Sequence, residues 1–405
     1  MTAAPISHRR RQAAFIFVFI TVVLDMLALG MTIPVFPQLI LGFTGGNHAY
    51  AAEINGLFST VWALMQFLFS PVQGALSDRF GRRPVILASN FGLGLDYILM
   101  AAAPALSWLF VGRILSGITA ASVSTANAYI ADVTAPEKRA RAFGMMGMAF
   151  GIGFILGPAG GGLLGSIDVR LPFWVAAGLS IVNGFYGLIV LPESLPADKR
   201  ARFDWRKANP LGALKLLRSH RELFGLAAVA LLNFLAHAVL PTITVLYLTY
   251  RYGWGEGMIG LCMALIGACS MVVQGGVIGP TVARFGERKT LYIGLAFGVA
   301  GFAMFGLAPT GWWFLTGVPV LAMWGLASAA ALALMSRHVA PNEQGALQGA
   351  NASIMGIASM IGPAIFTLSY AVAIKAETLP GAPFLLASVF LVAGLLVSLQ
   401  VTRGE

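Results

Sequence analysis

Asp25, Asp96 and Arg113 stand inside long apolar runs. At the centre of a membrane span each such group costs roughly 2.5–3.5 kcal/mol on insertion scales, so it is retained for ion handling or for pairing. Counting about 1.5 Å of rise per residue from the inner ends of the first and third runs puts Asp25 and Asp96 near the midplane. Arg113 enters from the other side and lies nearer the outer face. Two carboxylates and a guanidinium at similar depth can bind and release a proton or hold a cationic solute; an Asp–Arg pair can also simply neutralise itself and tie helices together. Gln66 falls at mid-depth of the second run. Asn233 and His237 lie one helical turn apart on one face of the seventh, and Gln274 lies in the eighth. The amides suit a cavity wall, as donors and acceptors. A lone histidine on a span is either hydrogen-bonded packing or a coupling group.

These residues need membrane-spanning helices to position them. The chain is 58% hydrophobic and 10% charged, far from the roughly 25% charged residues of soluble domains. A span needs about 20 apolar residues, and about twelve stretches qualify, near 14–36, 54–76, 85–104, 107–130, 142–165, 172–191, 223–249, 257–279, 290–308, 313–336, 346–371 and 383–401. The expected fold is therefore all-α: a six-helix half over 1–191, a linker over 192–222 and a second six-helix half over 223–405. The run Lys207–Arg221, with Leu211, Leu214, Leu216 and Leu217, suits either a plain linker or an amphipathic helix on the inner leaflet.

Lysine and arginine set the orientation. Placing the N-terminus in the cytoplasm puts 22 of the 26 basic residues inside and three (Arg170, Arg251 and Lys375) outside. The net charge of +10 then reflects topology and anionic lipid rather than nucleic acid. Cys262 and Cys269 lie two turns apart on one span, too far for a disulfide. No metal-ligand cluster, phosphate loop or nucleophile elbow is visible.

Gly74-Ala-Leu-Ser-Asp78-Arg79-Phe-Gly81-Arg82-Arg83-Pro84 reads as a short wet turn between two spans. A degenerate copy, Gly279 to Lys289, follows 205 residues later. The same offset relates Ala135-Pro136-Glu137 to Ala340-Pro341-Asn342, Gly157-Pro158 to Gly362-Pro363, and Trp108 to Trp313. A duplicated half-chain accounts for all of them, and such repeats mark secondary transporters. In the fifth span Gly147, Gly151, Gly157 and Gly161 permit close helix approach, and Pro158 bends the helix.

Gly74–Pro84 resembles the signature between helices two and three of the major facilitator superfamily, and Gly147–Gly161 resembles its helix-five antiporter motif. Within that superfamily Leu24–Pro37, Leu95–Ile98, Gly112–Thr119, Arg251–Trp254 and Gln344–Gly349 are similar to the twelve-helix tetracycline/proton antiporters. The resemblance implies a bacterial inner-membrane exporter, acting as a monomer with both termini cytoplasmic. It would exchange protons for an amphipathic drug, tetracyclines foremost, with Asp25 and Asp96 handling proton and cationic substrate. It also implies that Asp78 and Arg82 belong to a cytoplasmic gate with Gly74, Arg79, Gly81 and Arg83. No cofactor is expected beyond the coupling proton; a divalent cation would enter only as part of a metal–tetracycline substrate. One departure stands out. The tetracycline exporters carry an acid in helix nine, where Leu291–Phe302 has no ionisable residue, leaving His237 as the group that could assume part of the coupling. Another metabolite or a range of drugs as cargo, an importing symporter, and a non-transporting sensor are the competing readings.

Overall fold

The computed structural model describes residues 8–119, 122–134, 139–196, 198, 200, 217, 221–339 and 343–402. The loop copies at 135–137 and 340–342, and almost all of the 207–221 segment, lie outside the described residues.

The first half begins with α1 (His8–Thr32) and the short α2 (Phe36–Phe43), joined through a turn at Pro34. Next come α3 (His48–Phe80), α4 (Arg82–Ala102), α5 (Leu106–Thr119) with α6 (Ser122–Val133), α7 (Arg139–Gly165) and α8 (Leu171–Val190). In the second half α9 (Arg221–His237) and α10 (Val239–Tyr252) form one span, and α11 (Glu256–Val272) runs through a π-helical turn, Val273–Val277, into α12 (Ile278–Leu307). Then follow α13 (Gly311–Ala322) with α14 (Gly325–Arg337), α15 (Gln344–Lys375) and α16 (Ala382–Val401). Nine stretches of the described residues are long and apolar enough to cross a bilayer. One of them, Glu256–Leu307, is 52 residues long and breaks at Gly286 (φ 74°), making two spans. The 33-residue α3, its hydropathy diluted by Asn55, Gln66 and Gln73, and the α5–α6 pair complete the twelve.

Packing divides the chain into two compact units. One holds the chain up to Val35 and Leu68–Asn209; the other holds Phe36–Phe67 and Pro210–Glu405. The junction at 209/210 lies within the expected linker, but Phe36–Phe67 joins the second unit. Its contacts there are specific. Asn55 Nδ2 donates to the Thr242 carbonyl (2.8 Å), Glu53 pairs with Lys375 (2.6 Å), and the His48 ring meets Tyr250 edge-on at 5.1 Å. Gly56 leaves room for Thr367, whose Oγ1 an added Cβ would overlap. Burial on α10 holds the His48 imidazole below its ordinary pKa.

In the first unit α1 lies on α7. Gly153, Gly157 and Gly161, at four-residue spacing, form the face of α7 that it meets. A Cβ at Gly157 would come 2.7 Å from Gly30 Cα, and one at Gly161 would overlap the Met31 carbonyl oxygen. Backbone thus touches backbone, as the glycine spacing predicts. Gly147 and Gly151 precede this contact on the same helix, and Pro158 sits inside α7 beside Gly30.

The Gly74–Pro84 segment is less of a loop than its composition predicts. Gly74–Phe80 continues α3, Arg82 starts α4, and the turn narrows to Gly81 at φ 105°. Gly286, 205 residues on, does the same with φ 74°. Only glycine takes these angles without strain.

Gly157→Ala should destabilise the protein by about 1–3 kcal/mol through overpacking of α1 against α7. Heating the purified protein in detergent measures this. Gly178→Ala, whose added Cβ meets nothing within 4 Å, should leave the melting temperature unchanged.

Candidate functional site

The first unit gathers the predicted intramembrane charges. Asp25 on α1 is 7% exposed, and Asp96 on α4 is fully buried. Asn183 on α8 meets the first of them: its Nδ2 donates to Asp25 Oδ1 (3.0 Å) and lies 3.2 Å from the Thr21 carbonyl. Asp96 faces Arg113 across the α4–α5 contact and lies against Gly112, whose Cβ would sit 2.9 Å from Asp96 Oδ1. Ser116 also faces Asp96, but no hydrogen bond of standard geometry forms between them. Arg113 Nη2 points at Met100 Sδ (3.3 Å). Tyr97, buried beside Asp96, is within electrostatic reach of Asp25, Asp96 and Arg113 together. Asp96 and Arg113 thus interact directly in a low-dielectric interior, and Tyr97 stands between them and Asp25.

A second constellation forms where α3 turns into α4, at the basic end of the unit. Arg82, its side chain 12% exposed, pairs with Asp78 (2.6 Å) and with Asp132 on α6 (3.2 Å) and donates to Ser77 Oγ (2.5 Å). Ser194 Oγ also donates to Asp132 (3.1 Å). Glu193, just past α8, receives the backbone N–H groups of Arg82 (2.8 Å) and Arg83 (3.3 Å), a carboxylate on a helix N-terminus. An added Cβ at Gly81 would overlap Glu193 Oε2, so glycine is required there for contact as well as for φ. Arg83 reaches the Leu188 carbonyl (2.7 Å), whereas Arg79 lies over the Phe80 ring, outside the ion-paired group. Gly74 carries no steric demand, since a Cβ there meets nothing within 4 Å.

The repeat preserves this pairing with its charges exchanged. Arg82 and Asp132 correspond, at the 205-residue offset, to Glu287 and Arg337. Those two also pair, at 2.5 Å, within the second unit.

The remaining predicted residues belong to the second unit. Asn233 is held at both ends of its amide: Trp324 Nε1 donates to its Oδ1 (2.7 Å) and its Nδ2 donates to Ser328 Oγ (3.0 Å). His237 stands at the break between α9 and α10 with its ring 5.8 Å from Trp324. Asn233 and Ser328 border a cavity of about 240 Å³, together with Phe234, Leu332, Met335 and Asn351. Its lining carries no charge. Gln66 is half-buried on α3, and Gln274 is exposed on the π-helical turn, both outside this lining. Sequence reasoning missed Asn183, Asp132, Glu193, Trp324, Ser328 and Asn351. Of these only Asn183 and Asn351, amides within spans, carried a signal of the kind that singled out Gln66 and Asn233.

Comparison with known proteins gives the family of the chain. The profile described as Major Facilitator Superfamily matches residues 18–363. The chain is 38% identical over 358 residues to the class C tetracycline resistance protein of Escherichia coli, covering 88% of this chain and 90% of that one. It is 37% identical over 362 residues to the class G protein of Vibrio anguillarum, covering 89% and 91%. In structure it is similar to the nucleoside transporter NupG, with a TM-score of 0.78 over 97% of this chain and all of that one, at 14% identity.

Glu193→Ala should cost about 1–2 kcal/mol by uncapping α4. Its 3.9 Å pair with Arg200 is partly exposed and contributes little of this. The loss would appear as a lower melting temperature, and Arg200→Ala alone should leave it nearly unchanged.

Proposed function

Because the chain belongs to the major facilitator superfamily, whose members move small molecules across membranes, we propose that it is a proton-coupled antiporter exporting amphipathic drugs, tetracyclines foremost. It would act by alternating access, as a monomer in a bacterial inner membrane with both termini in the cytoplasm. The observation that carries the reading is the similarity to tetracycline resistance proteins over nearly nine-tenths of the chain.

The chemistry follows from what each unit offers. In the state open to the cytoplasm, ionised Asp25 and Asp96 favour a cationic or metal-bearing drug. After the site opens outward, protonation of a carboxylate removes the attraction and releases the drug. The protonated carrier returns and gives up the proton inside, so drug leaves as proton enters. The Asp78–Arg82–Asp132 group is a set of partners that can be exchanged between two states, the role proposed for it as the inner gate. The absence of an acid from Leu291–Phe302 favours a second, broader reading. With less negative charge in the second half, the pump would discriminate less strongly for metal–tetracycline cations and accept other amphipathic drugs. His237 would then supply part of the coupling.

Expression in an efflux-deficient bacterial host should raise tolerance to tetracyclines, and Asp25→Asn should abolish the gain while leaving membrane expression intact. Tolerance confined to unrelated compounds would retain the transporter and move its substrate. Full tolerance in the Asp25→Asn variant would remove Asp25 from coupling.

A further inference from the structure

Four helices of the first unit close into a ring: α1 packs on α8, α8 on α4, α4 on α6, and α6 on α1. Each carries a buried polar side chain at one level. Asn90 lies eight residues beyond the start of α4, Thr125 eight before the end of α6, and Asn183 seven before the end of α8, about 10–12 Å from the basic end at 1.5 Å per residue. The bond from Asn183 to the Thr21 carbonyl brings α1 to the same level. All four residues are at most 2% exposed, as is Ser180, one turn of α8 farther in.

Their hydrogen-bonding capacity is unmet. Thr21 Oγ1, both amide atoms of Asn90, Thr125 Oγ1, Ser180 Oγ, Asn183 Oδ1 and both oxygens of Asp96 are buried without a hydrogen bond to the protein. So many unmatched groups in one interior are rare, because each forfeits its hydration on burial. Waters with two to four bonds to such groups are the common remedy. The level lies beside the Asn183–Asp25 hydrogen bond, and Tyr97, in reach of Asp25 and Asp96 alike, lies about two turns beyond Asn90 on α4. Towards the basic end the same helices are plugged by apolar side chains, among them Val18, Ile86, Ala126, Ile130 and Val133.

We propose that this ring holds a sealed cluster of water molecules that hydrogen-bonds Thr21, Asn90, Thr125, Ser180 and Asn183 and passes a proton between Asp25 and Asp96. The inference rests on the antiport reading for its purpose and on the unmatched polar groups for its existence. A proton leaving one carboxyl protonates the first water, and the last water delivers a proton to the other carboxylate; no net charge is created. The apolar plug keeps the proton from leaking to the basic end without drug. The two aspartates then act as one store of protons rather than as independent sites.

Radiolytic hydroxyl labelling of the purified protein tests the cluster without transport, since it oxidises side chains beside bound water. Tyr97 should oxidise faster than the equally buried Tyr370, whose hydroxyl is bonded to the Leu246 carbonyl; equal, slow labelling would overturn the cluster. The double substitution Asn90→Leu with Thr125→Val tests its purpose in proteoliposomes. It should slow drug-driven proton release at least about 100-fold, the scale of a lost proton-transfer group, while the affinity for drug stays the same. Unchanged proton release with a raised melting temperature would mean a dry, merely frustrated core and would overturn the relay. Wild-type vesicles that release no protons when drug is added would reject the antiport reading instead, leaving the labelling result to judge the cluster alone.

Discussion

The hydrogen bond between Asp25 and Asn183 is the contact around which the first unit is arranged. A carboxylate at the middle of a span is tolerated only if the protein supplies what water no longer does. Asn183 can supply it because α1 is held from both sides. Glycines of α7 take the face bearing Gly30 and Met31 to backbone contact, and this leaves Thr21 and Asp25 turned towards α8. The glycine stripe, which looks like a packing device, thereby sets the register of the acid.

The basic end shows what duplication conserves. Gly81 and Gly286 hold the same left-handed backbone, and the residue after each pairs with the end of the following span. The signs are opposite: Arg82 with Asp132, Glu287 with Arg337. An ion pair between neighbouring spans works in either polarity, so the geometry is preserved while the charge pattern is free to diverge. The first copy gains Asp78 and the Glu193 cap, and with them alternatives to a single pairing; that gain fits a group whose partners change during a cycle.

The halves also differ in the chemistry of their interiors. The first concentrates carboxylates, a guanidinium and unmatched polar atoms. In the second, Asn233 is locked by Trp324 and Ser328 beside an uncharged cavity. The polar chemistry of the two interiors is therefore not symmetric, although their chain folds are repeats.

Much of this was legible in the residues themselves. The length and apolarity of the spans determined the helices. The cost of intramembrane charge drew attention to Asp25, Asp96 and Arg113, and the 205-residue echo revealed the duplication. Glycine spacing marked a close helix contact, because glycine leaves no other reason for itself in a span. Partner choice was not legible. Asn183 lies 158 residues from Asp25 and Glu193 lies 111 from Arg82, and amides near spans or acids in loops are too common to single out. The narrowing of the Gly74–Pro84 turn to Gly81, the attachment of Phe36–Phe67 to the second unit and the polar ring likewise arise from packing. Periodicity and composition are local properties, set by the helix repeat and by the bilayer. Which buried groups meet is decided only when helices distant in sequence are brought face to face.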